Sequence, residues 1–86
     1  MYKDRWSRSA AKFYERLDAQ TKRRIDDAVR EICIDPVRAP GVKPLTGELW
    51  GKRRRRIGDF RLIYTHDTRE EVAYVLVLNY RKSVYR

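Results

Sequence analysis

The sequence is poor in the residues that build metal centres and covalent staples. It holds one cysteine and one histidine among 86 residues, so it can assemble neither a disulfide framework nor a zinc site of its own. Four glycines and three prolines are all it has of the chain-breaking residues, which excludes a linker-like or low-complexity chain. No apolar run approaches the ~18 residues of a membrane span. The opening Met1-Tyr2-Lys3-Asp4-Arg5-Trp6 has no apolar signal core. Acidic residues are also scarce, with 12 Asp and Glu against 21 Lys and Arg, for a net charge of +9. These deficits predict one small, soluble, cytoplasmic, basic domain over residues 1–86, with no metal or cofactor and no membrane partner.

The apolar residues, 42% of the chain, are periodic. Residues 2–6 alternate weakly and read as a first strand. Ser7 or Ser9 can cap a helix whose face is Ala10, Phe13, Tyr14 and Leu17, the i, i+3, i+4, i+7 spacing. Asp18 can cap a second helix with Ile25, Ala28, Val29, Ile32 and Cys33 on one side, ended by Asp35-Pro36. Residues 36–48 hold all three prolines and two of the glycines and read as an ordered loop. Leu49–Ile57 follows as a strand, Gly58-Asp59 as a turn, and Phe60–Thr65 as a strand. His66–Glu71 reads as a turn, and Val72–Leu78, apolar on both faces, as a central strand. The expected fold is α+β in the order β-α-α-β-β-β, an antiparallel sheet with an N-terminal helical hairpin on one face. Trp6, Trp50 and Cys33 are expected to pack, and His66 to sit on the surface.

The positive charge is concentrated. Residues 36–66 carry eight basic and two acidic residues, so two-thirds of the net charge lies in the middle of the chain. Lys52, Arg53, Arg54, Arg55 and Arg56 are consecutive. On a strand, side chains alternate between faces, which puts Lys52, Arg54 and Arg56 together. Arg61, across a short turn, can join them on the face that the helices leave open. A rigid cluster of cations is suited to clamping phosphates. Arg53 and Arg55 fall on the helix side, and an edge strand would let them reach outward.

These residues carry a resemblance. Gly51 through Tyr64 (Gly-Lys-Arg-Arg-Arg-Arg-Ile-Gly-Asp-Phe-Arg-Leu-Ile-Tyr) resembles the central signature of the RelE/ParE toxin superfamily. Arg81-Lys82-Ser83-Val84-Tyr85 is similar to that family's closing Arg-x-x-Val-Tyr, and Pro44-Leu45-Thr46-Gly47 to the Leu-x-Gly ahead of its basic strand. The resemblance covers essentially the whole chain.

It implies a RelE-like microbial RNase-type fold and the toxin of a type II toxin–antitoxin pair. The implied activity is ribosome-dependent, metal-free cleavage of mRNA in the A site, by attack of a 2′-OH on the adjacent phosphate. By motif position, the implied catalytic residues are Lys52, Arg54, Arg61, Arg81 and Tyr85. RNA contacts are expected from Arg53, Arg55, Arg56, Tyr80 and Lys82. Arginine suits charge stabilisation and not proton abstraction. Lys52, crowded by like charge, is the readier base, and Tyr85 can position the 2′-OH or share in proton transfer. Relatives often carry His where Tyr80 stands. Implied partners are a cognate antitoxin, the ribosome with its mRNA, and operator DNA through the antitoxin complex. A ParE-like gyrase inhibitor and a catalytically weak nucleic-acid- or antitoxin-binding module are the alternatives.

Overall fold

Ser7 starts the first helix and ties it to the sheet. Its hydroxyl accepts from Ala10 N–H at 3.1 Å and lies 2.8 Å from the Leu76 carbonyl, to which it donates. In this computed structural model, which describes residues 1–81, β1 (Lys3–Trp6) leads through Ser7 into α1 (Arg8–Glu15). Asp18 caps α2 (Ala19–Ile34), its carboxylate accepting from Thr21 N–H at 2.8 Å. The Asp35 carboxylate then accepts from Val37 and Arg38 N–H, both at 3.1 Å, and turns the chain out of the helix. Tyr14 O–H donates to Asp26 at 2.7 Å and joins the two helices. That bond raises the Tyr14 pKa to about 12.

The remaining elements are β2 (Val42–Pro44), a 3₁₀ turn at Gly47–Leu49, β3 (Arg53–Ile57), β4 (Phe60–Asp67) and β5 (Val72–Tyr80). They form a five-stranded sheet in the order β1-β5-β4-β3-β2. The α+β class is as the sequence predicts, with two differences in the sheet. First, β1 runs parallel to β5, with Lys3 opposite Val72 and Trp6 opposite Val75, so the sheet is mixed. A strand as apolar as β5 needs a neighbour on each edge, and β1 supplies the second. Secondly, the proline-rich loop contains β2, which pairs Val42 with Arg55, Lys43 with Arg54 and Pro44 with Arg53. Pro44 has no N–H to donate, and at the sheet edge none is needed. It is β2, and not β3, that forms this edge.

Strand limits differ for identifiable reasons. β3 begins at Arg53 because Gly47–Leu49 is a 3₁₀ turn and Gly51 sits at φ 91°. β4 continues through His66 and Asp67, and the turn that follows ends at Glu71, with φ 57°. Between the Ile63–Val77 and Tyr64–Val75 pairs the register shifts, leaving Leu76 as a bulged residue.

The core lies between α2 and the centre of the sheet. Ile25, Ala28 and Ile32 meet Leu62, Tyr64, Val75 and Leu78, all essentially inaccessible. Tyr64 O–H donates to the Pro36 carbonyl, and burial pushes its pKa up to about 12. Cys33 packs as expected, and burial raises its thiol pKa. Trp6 also packs, with its ring 5.3 Å from that of Tyr14. Trp50 does not: it is 79% exposed, on the loop that precedes β3.

The β3–β4 turn places the site, and Gly58 is the residue that permits it. Its φ is 59°, and a Cβ there would collide with the Arg24 guanidinium of α2. Gly58→Ala is therefore expected to cost about 1–3 kcal/mol through backbone strain, read as a lower urea midpoint. An unchanged midpoint would show that the turn tolerates a side chain.

Candidate nucleic-acid interface

Leu62 and Tyr64 are fully buried towards the helices. Alternation therefore turns Arg61, Ile63 and Thr65 to the opposite face. Register extends that face to both sides. Arg56 lies opposite Arg61, Arg54 opposite Ile63, Lys43 opposite Arg54, and Asn79 opposite Arg61. Four cations from three strands, Lys43, Arg54, Arg56 and Arg61, thus share one side of the sheet.

Two of these juxtapositions, Arg56–Arg61 and Lys43–Arg54, set like charges directly opposite each other, an arrangement that opposes folding. Among the described residues, ion pairs form between Arg30 and Asp27 and between Arg55 and Glu31. No described carboxylate compensates Arg54, Arg56 or Arg61. The Nε atoms of Arg54 and Arg61 and Oδ1 of Asn79 are shielded from water without a hydrogen-bond partner. Ile63 is only 6% exposed although it lies outside the helix-side core. The result is a face of positive charge that no described carboxylate balances.

The consecutive cations are divided between the two faces. Arg55 points to α2 and pairs with Glu31 at 2.8 Å, its side chain 17% exposed. Arg53 lies opposite Tyr64, and its charge acts on Tyr64 and His66. The structure therefore does not bring Arg53 and Arg55 to the Arg54–Arg61 face. Lys52 lies one residue before β3, so strand alternation alone does not align it with Arg54. Its carbonyl still accepts from Leu45 N–H at 2.9 Å. Arg81 N–H donates to the Asp59 carbonyl at 2.8 Å, which fixes its backbone beside the turn next to Arg56 and Arg61. Tyr80 lies on the helix side, stacked on Phe60 at 5.1 Å and edge-on to Phe13 at 5.3 Å. Lys82 and Tyr85 fall outside the described residues.

His66 is a correction to the sequence reading. It belongs to β4 on the helix side, with its ring 5.9 Å from that of Tyr2 and Nδ1 buried without a partner. Burial, then the Arg53 charge, lowers its pKa below the usual 6.5. The unfolded chain then takes up the proton at higher pH than the folded one. The stability from neutral His66 is complete above pH 6.5 and is lost as pH falls through the lowered pKa. Between about pH 7 and 5, the melting temperature should fall further for the wild type than for His66→Phe. Parallel curves would contradict this.

Lys43 is a member of this face that the sequence does not reveal. The signal was the alternation Val42-Lys43-Pro44, obscured by the surrounding prolines. Among the described residues, no three His, Cys, Asp or Glu side chains converge as metal ligands. Nor is any described helix long and apolar enough to cross a membrane.

Comparison with known proteins bears on the whole chain. Residues 5–85 match the family model described as the ParE toxin of type II toxin–antitoxin systems, parDE. Among solved structures, a YoeB/ParE toxin from Agrobacterium tumefaciens is similar at 27% identity and TM-score 0.83, over 92% of this chain and 98% of that one. The toxin–antitoxin complex RelBE2 from Mycobacterium tuberculosis is similar at 25% identity and TM-score 0.80, over 93% of this chain and 98% of the matched one. The archaeal RelE–RelB complex from Pyrococcus horikoshii OT3 is similar at 25% identity and TM-score 0.79, over 95% and 97%. No curated protein matches the chain.

Proposed function

Because the chain belongs to the ParE toxin family of type II toxin–antitoxin systems, within the RelE/ParE superfamily, we propose that it is a ribosome-dependent endoribonuclease that cleaves mRNA in the A site. The observation that carries this reading is the uncompensated cation face, where Arg56 opposes Arg61 and Lys43 opposes Arg54 with no described carboxylate between them. An anion that binds there offsets the like-charge repulsion between the opposed cations. A polyanion with closely spaced phosphates fits better than a single ion.

The chemistry follows from the residue types. The 2′-oxygen attacks the adjacent phosphorus as its proton leaves. The bond from phosphorus to the 5′-oxygen breaks, and that oxygen takes up a proton. The products are a 2′,3′-cyclic phosphate and a 5′-OH. Negative charge gathers on the non-bridging oxygens in the transition state, where Arg54 and Arg61 donate from fixed positions. Arg81, anchored beside the same turn, supplies a further donor. Lys52 accepts the 2′-OH proton, with Tyr85 positioning that hydroxyl or sharing the transfer. Each acid–base role is worth about 10²–10⁴-fold. The ribosome supplies what this small open face lacks, a fixed conformation of the mRNA. None of these steps needs a metal or a cofactor.

The same field selects the partner. A cognate antitoxin with an acidic or amphipathic helical segment would neutralise the face and silence the toxin in the cytoplasm. Operator DNA would be reached through that complex. The RelBE2 and archaeal RelE–RelB structures are complexes of this pairing.

The test is primer-extension mapping of mRNA on programmed ribosomes. A cut within the A-site codon, dependent on the ribosome, is expected. Intact mRNA with folded toxin would overturn the reading. The name of the matched family model favours a second reading, gyrase inhibition. Inhibited supercoiling alongside intact mRNA would establish that reading instead.

A further inference from the structure

Trp50 is 79% exposed, whereas Trp6 packs against Tyr14. Among the described residues, no aromatic ring contacts Trp50. A large apolar ring in water is unfavourable, and the loop beneath it is not loose. Trp50 N–H donates to the Gly47 carbonyl at 3.1 Å, and Lys52 N–H to the Leu49 carbonyl at 3.0 Å. The Thr65 hydroxyl donates to the Gly51 carbonyl at 3.3 Å. Thr65 lies on the Arg61 face of β4, so this bond brings the Trp50 loop to the border of the cation field. Arg61 and Thr65 are four residues apart on β4, about 13 Å along the strand. A short single strand whose phosphates meet Arg56 and Arg61 can extend from there to Trp50.

We infer that Trp50 is a stacking platform for one unpaired nucleobase of the RNA held along β3 and β4. The inference rests on the proposed RNA-binding role of this face and adds a contact of a different kind to it. Phosphate clamps carry no information about the base, whereas an indole face binds any base by stacking and favours the larger purines. The bonds that pin the loop backbone leave only the side-chain rotamers of Trp50 to be ordered on stacking. A partner protein could also cover an exposed tryptophan. The neighbours favour RNA: Lys52 follows two residues later, and four arginines follow it.

The test uses two probes of equal charge, a hexamer of adenosine RNA and an abasic RNA hexamer, with isolated toxin at low salt. In Trp6→Phe, Trp50 is the only tryptophan. Its fluorescence should be quenched by the adenosine hexamer and left unchanged by the abasic one. Trp50→Ala should weaken binding of the adenosine hexamer by about 5- to 100-fold, leave the abasic hexamer unaffected and keep the salt slope. Trp50→Phe should restore part of the loss. Equal quenching by both probes, or unchanged binding in Trp50→Ala, would overturn the inference while leaving the cation face intact. Loss of affinity for a cognate antitoxin alone, with RNA binding retained, would assign Trp50 to the protein interface and overturn it too. If the wild type binds neither probe, the stacking contact fails, whereas the proposed function stands or falls separately on A-site cleavage with programmed ribosomes. Circular dichroism of each variant checks the fold, which a side chain this exposed does not support.

Discussion

Arg61→Ala should abolish measurable A-site cleavage, lowering the rate by about 10²–10³-fold, and should leave the melting temperature unchanged or raised. The two halves of this result have one cause. Arg61 faces Arg56 across the strand pair with no described carboxylate to balance them, and its Nε has no acceptor. Its removal relieves that repulsion and, under the proposed function, deletes a donor from the transition state. A residue that served the fold would behave in the opposite way. Arg55 is the internal control on the next strand, since its partner is Glu31 at 2.8 Å. Arg55→Ala should lower stability and spare cleavage in whatever fraction remains folded. Thermal unfolding and single-turnover cleavage on ribosomes, measured on the same preparations, read both halves. A clear loss of stability in Arg61→Ala would show that Arg61 is a structural residue.

Tyr64→Ala should cost about 3–5 kcal/mol, enough to unfold much of a domain of ordinary stability. Tyr64 is fully buried on the same strand as Arg61 but on the other face. It fills the space under α2, and its hydroxyl holds the Pro36 carbonyl, where the chain leaves α2 on its way to β2. The substitution opens a cavity and leaves that carbonyl without its donor. Tyr64→Phe separates the two effects, and its cost is expected to be about 1–3 kcal/mol for the hydroxyl alone. Urea unfolding followed by circular dichroism gives both numbers. A cost below 1 kcal/mol for Tyr64→Ala would mean that the site collapses around the gap.

Periodicity made the helices legible, because their caps and apolar faces are local. Ser7, Asp18 and the Asp35-Pro36 stop behave as their chemistry dictates. The sheet was less legible wherever pairing was non-local. Nothing near Lys3–Trp6 announces a parallel partner about 70 residues away, and β2 is three residues hidden among prolines. At the site, alternation correctly separated Arg54, Arg56 and Arg61 from Arg53 and Arg55. It could not supply Lys43, whose place depends on β2. It misjudges Trp50 because it starts the strand at Leu49, whereas the 3₁₀ turn at Gly47–Leu49 delays the strand to Arg53 and leaves Trp50 on the loop. His66 was read as surface because polar residues follow it, whereas the strand continues and carries its ring against Tyr2.

Under the proposed function, this face cleaves RNA through the substrate's own 2′-OH. The most direct measurement is cleavage of an mRNA whose A-site codon carries a single 2′-O-methyl group on the nucleotide that supplies that hydroxyl. The unmodified message should be cut to leave a 2′,3′-cyclic phosphate and a 5′-OH, and the methylated one should stay intact at that bond. Cleavage of the methylated message at the same bond, or ends bearing a 3′-OH and a 5′-phosphate, would rule out attack by the 2′-OH.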